Sequence, residues 1–243
     1  KFTTIIIPSS VTSIGDKAFN KCTKLTNIII PSSVNSIGDF AFNECISLSE
    51  ISIPSSVTYI GTSAFSSCSS LVHISLSSSI NYIDSYTFSG CINLEEIVIP
   101  QSVIVIGEFA FSGCIKLSQI SISTSVISIS DNAFSGCISL KQISIPSSVT
   151  IIGNKVFEKC TSLAQIEIPS SITSYGKGIF NGVSSLNISG DIKFIPNSLF
   201  STCTSLVEIV IPASVKSIHK KAFNKCSSLA KITLPNSLIT IKK

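Results

Sequence analysis

Residues 25–47 read LTNIIIPSSVNSIGDFAFNECIS, and this unit recurs along the chain with few changes. Its anchor phenylalanines stand at Phe19, Phe42, Phe65, Phe88, Phe111, Phe134, Phe157 and Phe180, each 23 residues after the last. Phe200 follows after 20 and Phe223 after 23 again. Self-similarity at a fixed period marks a repeat solenoid, in which each unit buries its apolar face only against its neighbours. The 243 residues therefore predict one elongated body of about ten repeats, a single solenoid spanning 1–243. The array opens within a repeat, with Phe2, Ile5 and Ile7 in apolar slots, and stops within another after Ile241. Neither end has a polar capping repeat, so the sequence reads as a piece of a longer protein.

Within each repeat the segment L-x-x-I-x-I alternates apolar and polar, as a half-buried strand does. In the third repeat Leu71, Ile74 and Leu76 point inward, and His73 and Ser75 point out. Proline usually follows, as at Pro31, Pro54 and Pro100; it cannot donate to a ladder and ends the strand. A Ser-Ser turn leads to V-x-x-I-G, for example Val57 to Gly61, short and β-branched, which suits a second small strand on the opposite face. The A-F pair that follows predicts a helical turn. Two residues before its alanine stand Asp16, Asp39, Thr62, Ser85, Asp131, Asn154 and Asn197, residue types that cap helix N-termini. These polar residues read as structural.

A period of roughly 20–29 residues with leucine and isoleucine at set offsets is that of a leucine-rich repeat. The pattern C-x-x-L-x-x-I-x-I-P-x-S-V-x-x-I-G-x-x-A-F-x-x-C, read from Cys22 to Cys45, closely resembles the BspA-like, or treponemal-type, class. The resemblance covers essentially the whole chain. It implies a leucine-rich-repeat solenoid with a parallel β-sheet on one face and short strands and helical turns on the other. It also implies a surface or secreted protein that adheres to host proteins or other cells.

Cys22, Cys45, Cys68, Cys91, Cys114, Cys137, Cys160, Cys203 and Cys226 share one slot, which Val183 takes once. Stacked neighbours fall within disulfide range. Their odd number, the tolerance of valine and the regular stack favour an interior ladder of free thiols, small and buried. Zinc needs clustered ligands, and no C-x-x-C spacing exists. His73 and His219 lie in different slots about six repeats apart, and no paired-carboxylate, phosphate-loop or Ser-His-Asp arrangement stands out. Neither an enzyme nor a cofactor site is expected.

The repeat near 181–202 breaks rank: three residues are missing between Leu186 and Phe200, and Asn187-Ile188-Ser189-Gly190 replaces I-x-I-P. It reads as a tolerated deletion that bends the slab, or as a kink with a contact role. Asn187 also opens the chain's only N-glycosylation sequon.

Net charge is +4, and all seventeen basic residues are lysine. Between Leu25 and Ile115 there are acids and no lysine; from Lys193 onward there are eight lysines against Glu208. Nucleic-acid binding would want arginine and stacking aromatics in the basic patch, so a solvated lysine surface is the plainer reading; binding to acidic polymers would show steep salt dependence. No apolar run approaches the ~18–20 residues of a membrane span, and the start is not that of a signal peptide.

A ligand would meet the open face of the main sheet. Its first outward column is Asn27, Glu50, His73, Glu96, Gln119, Gln142, Gln165, Glu208 and Lys231. A second column, with Ser52, Ser75, Val98, Ser121, Ser144 and Glu167, runs beside it. Core columns hardly vary between repeats, whereas these do. The expected function is a non-enzymatic protein-binding scaffold; the alternative is a structural spacer with no specific face. Exposed strand edges at the two ends, attracted by opposite charge, also predict end-to-end self-association.

Overall fold

The computed structural model describes residues 3–242; Phe2, assigned above to an apolar slot, lies outside them. Coil follows coil, each contributing to two strand ladders and one run of turns. Three-residue strands such as Gln142–Ser144 alternate with two-residue strands such as Ile151–Ile152. Every pairing is parallel and joins one coil to the next, as in Gln142↔Gln165 and Ile152↔Tyr175. The main ladder is interrupted in three places, after Asn27–Ile29, His73–Ser75 and Gln119–Ser121, although the strands remain stacked in order.

The strands form where the pattern placed them because alternation gives each a dry and a wet side. In His73–Ser75 the two outer residues are exposed and Ile74 is buried. Leucine, both isoleucines, valine, alanine and phenylalanine of successive coils fuse into one core. Phenylalanine rings stack along its length, 5.2 Å between Phe42 and Phe65 and 5.4 Å between Phe111 and Phe134. The proline carbonyl closes the Ser-Ser turn, as when Val34 N–H donates to Pro31 O at 3.0 Å. The second serine then ties coils together: Ser33 Oγ donates to Val11 O and Ser148 Oγ to Val126 O.

The expected helical turn is not helical. An α-helix would spend each N–H four residues back in its own chain. Here alternate residues donate to the next coil instead: Phe40 to Thr62 O at 2.9 Å, Phe42 to Ala64 O at 2.7 Å and Glu44 to Ser66 O at 2.8 Å. The residues between them close three-residue turns, Ala41 to Gly38 O and Asn43 to Phe40 O. Turning the chain this way puts Phe40 and Glu44 in the left-handed region, at φ 55° and 58°, a conformation costing roughly 1–2 kcal/mol for a residue with a Cβ. Stacking compensates by giving each coil extra backbone bonds to its neighbour.

The supposed helix caps are corrected with it. Asp39 Oδ1 accepts from the backbone of Thr62, one coil on, and Asp131 Oδ1 from that of Asn154 at 2.7 Å. These carboxylates are rungs between coils. Where glycine ends the second strand the coils approach closely: a Cβ on Gly107 would sit 2.8 Å from backbone atoms of Ile83, Asp84 and Ser85, although other coils carry Asp84 or Ser130 in this slot.

The short repeat is absorbed by a slip in register. Strand Ser185–Ser189, five residues long, pairs backwards as Gln165↔Asn187 and forwards as Asn187↔Val210. A row that begins in the first outward column thus ends in the second, so later strands are displaced by two residues. Two is the pleat period, so the slip keeps inward residues inward; Leu186 and Ile188 are buried and Asn187 is exposed. The second ladder has no such remedy and stops between Ser174–Tyr175 and Phe194–Ile195.

Candidate functional site

Among the described residues no layer packs over the outward side of the main sheet. All nine residues of the first column, Asn27, Glu50, His73, Glu96, Gln119, Gln142, Gln165, Glu208 and Lys231, are exposed. The pleat dictates this: seven of the nine precede a buried isoleucine, Ile120 after Gln119 is half-buried, and Ile232 after Lys231 is itself exposed in the last coil. Asn187 and Ser189 belong on the same face and were missed in the columns, because the deletion hides their register until the pairing is seen. The sequon therefore opens onto the sheet, beside Gln165 and Val210.

Across the middle coils the face is concave. A depression of about 580 Å³ runs from Glu96 and Val98 to Glu167 and Ser189. Gln119, Gln142 and Gln165 cross its floor in adjacent strands, with Ser121 and Ser144 beside them. Ser144 Oγ donates to Glu167 Oε2 at 2.6 Å, which orients that carboxylate. Each glutamine side chain here offers both donor and acceptor groups, and none of the three hydrogen-bonds through its amide to another of the described residues. Beyond the slip, Glu208 accepts from Ser185 Oγ at 3.1 Å and lies 3.9 Å from Lys231. Toward the other end exposed apolar residues, Ile29 at 55% and Val98 at 71%, alternate with Glu50, Ser52, His73 and Ser75.

Copies of the family model for the BspA type leucine rich repeat region match residues 1–104, 81–206 and 193–243. The chain belongs to the BspA-type leucine-rich-repeat family. Among solved structures, a leucine-rich repeat protein from Bacteroides ovatus is 34% identical at a TM-score of 0.77, covering 97% of this chain and 67% of that one. A leucine rich cell surface protein from Faecalibacterium prausnitzii is 26% identical at 0.63, covering 96% and 87%. A leucine-rich repeat protein from Eubacterium ventriosum, 24% identical at 0.51, covers 99% and 81% and shares the fold. None of the curated proteins matches the sequence.

The cysteine column of this BspA-type solenoid is an interior ladder. All nine thiols are free; seven are buried, while Cys22 and Cys226 are half-buried. Seven of the nine donate across coils to a phenylalanine carbonyl, as Cys68 to Phe42 O and Cys137 to Phe111 O. Burial pushes Cys91 and Cys160 up to about 12, with a backbone bond pulling the other way. A nucleophilic cysteine needs a lowered pKa and access; Cys91 and Cys160 have neither. Among the described residues no three His, Cys, Asp or Glu side chains gather closely enough to hold a metal ion, and no helix is long and apolar enough to cross a membrane.

Proposed function

We propose that this protein is a non-enzymatic recognition scaffold whose open main-sheet face binds a protein partner at the surface of the cell or outside it. The observation that carries the reading is the concavity between Glu96 and Glu167, with a row of unengaged glutamines along its floor. The core beneath repeats nearly the same residues coil after coil, so the outward columns are where one stretch of the solenoid differs chemically from another. Amides and carboxylates flanked by small serines suit hydrogen bonding to a partner's backbone and its basic side chains. The Faecalibacterium relative, described as a cell surface protein, supports the location. Asn187 stands at the edge of the same face, where a glycan would compete with the partner.

Beads coated with the protein and washed over cultured cells test this against a passive spacer. Reversing Glu50 and Glu96 to lysine should lower adherence at least tenfold while leaving the fold intact. Adherence indifferent to that change would favour the spacer.

A further inference from the structure

A second surface lies on the opposite side, along the two-residue strands. Counting coils by their anchor phenylalanines from Phe19, coils four to seven carry there a groove of about 530 Å³. Tyr82, Val105 and Ile151 form its apolar part, and Asp84, Glu108 and Asp131 line it too. Tyr82 is 53% and Ile151 47% exposed. Tyr86 stacks on Phe109 at 4.8 Å beside it. The ion pairs among the described residues lie elsewhere, so these three carboxylates are not neutralised within the chain.

The same side of the last coils has the opposite character. Lys177, Lys193, Lys216, Lys220 and Lys221 are all exposed there, around a Phe194–His219 stack of 4.7 Å, with Asp191 the acid among them, 4.0 Å from Lys193. One slot shows the gradient: Glu108 and Asp131, then neutral Asn154, then Lys177, neutral Asn197 and Lys220. The sign of the charge thus reverses about the seventh coil.

We propose that this face docks on a second copy of the same chain, antiparallel, with the two-fold axis near Asn154. A two-fold interface places the same patch of both copies in reciprocal contact. Coils equidistant from Asn154 then meet: Asp131 faces Lys177, Glu108 faces the coil of Lys193, and Asp84 faces Lys220. Tyr82 and Tyr86 of coil four meet the coil of His219, whose ring stacks on Phe194, and Ile151 in the axis coil meets Ile151 of the second copy. A parallel alignment in register would set like charges together. Seven coils at about 4.8 Å each, taken as some 20 Å wide, give roughly 670 Å² per copy. That is below the roughly 800 Å² per partner of a standard stable complex, so the dimer is reversible and salt-sensitive. Both main-sheet faces remain open, so the dimer would present two ligand faces.

Sedimentation equilibrium of the chain across a dilution series tests the proposal. The mass should rise to that of two copies and stop there at ~20 mM salt, and fall back to one copy at ~0.5 M, where screening is nearly complete over ~4 Å. Asp84→Lys with Glu108→Lys should be monomeric, as should Lys193→Glu with Lys220→Glu, and an equal mixture of the two should regain the dimer. Melting curves check that each variant is folded, and the milder pair Glu108→Gln with Lys220→Gln should weaken association at least fivefold. A wild-type monomer at low salt, dimers that survive both reversals, or a mixture that stays monomeric would overturn the proposal. So would a mass climbing beyond two copies, the mark of end-to-end growth, or a monomer whose groove takes up polylysine, which would assign the face to a separate basic partner.

Discussion

The thiol of Cys114 donates to the carbonyl oxygen of Phe88, 3.2 Å away in the preceding coil. That same carbonyl accepts the N–H of Cys91 at 3.1 Å. One oxygen therefore closes a turn in its own coil and holds the next coil in place. The contact recurs from Cys45 to Cys160. At Val183 the slot has no thiol, and Cys203 turns to Asn181 Oδ1 at a longer 3.8 Å.

Stability should fall in alkali because of these thiols. Cys91 is raised from 9.0 to about 12 by burial, so between those values the unfolded chain ionises while the folded one keeps its proton. The contribution is intact below pH 9 and declines as pH rises toward 12, by up to about 1.4 kcal/mol per unit for each such thiol. Lysine and tyrosine titrate in this range too, so the difference between the wild type and Cys91→Val isolates the effect. The valine variant should lose stability less steeply between pH 9 and 11, and chemical denaturation at each pH measures it.

Thiol labelling should divide the nine cysteines unevenly. Cys22 and Cys226 are half-buried and should react in the native protein; the seven buried thiols, from Cys45 to Cys203, should react only on unfolding. Mass spectrometry after a timed exposure to a thiol reagent reads the count.

Phe111→Ala should cost about 3–5 kcal/mol, since its ring is fully buried between those of Phe88 and Phe134. Ser121→Ala on the exposed face should change stability by no more than about 0.5 kcal/mol. Urea denaturation of the two variants compares them.

Ser123→Pro should stabilise the protein by about 0.5–1 kcal/mol. Ser123 stands in the slot that Pro100 and Pro146 fill in adjacent coils, and its carbonyl closes the same turn onto Val126. Its buried hydroxyl has no hydrogen-bond partner among the described residues. Ser77, in the equivalent slot, donates to Val57 O and accepts from Ser79, so Ser77→Pro should gain less. Thermal melts of both variants separate the two.

The coil architecture was legible because its cause is local. Alternation at Leu71, Ile74 and Leu76 fixes a strand, and the recurrence of Phe65 as Phe88 fixes the period. The Ala64-Phe65 turn was misread because its sequence satisfies helix rules. What overrides them is the neighbouring coil, which takes the N–H of Phe65 at Thr87 O. Asp39 looked like a cap for the same reason, although its acceptor role is identical in kind and only its donor lies one coil on. The register of Asn187 was out of reach: a three-residue deletion admits several alignments, and only the pairing with Gln165 and Val210 chooses one. The outward columns could be listed from sequence, but their concavity between Glu96 and Glu167 depends on how successive coils rotate.

Adherence of protein-coated beads to cultured cells, compared for two surface variants, tests most directly whether recognition resides on the main sheet. One variant replaces Gln119, Gln142 and Gln165 with arginine on the floor of the concavity; the other replaces Thr150 and Ser174 with arginine on the opposite side. The account predicts that the first abolishes adherence and the second leaves it within about twofold of the wild type. Equal loss in both, or loss only in the second, would contradict it.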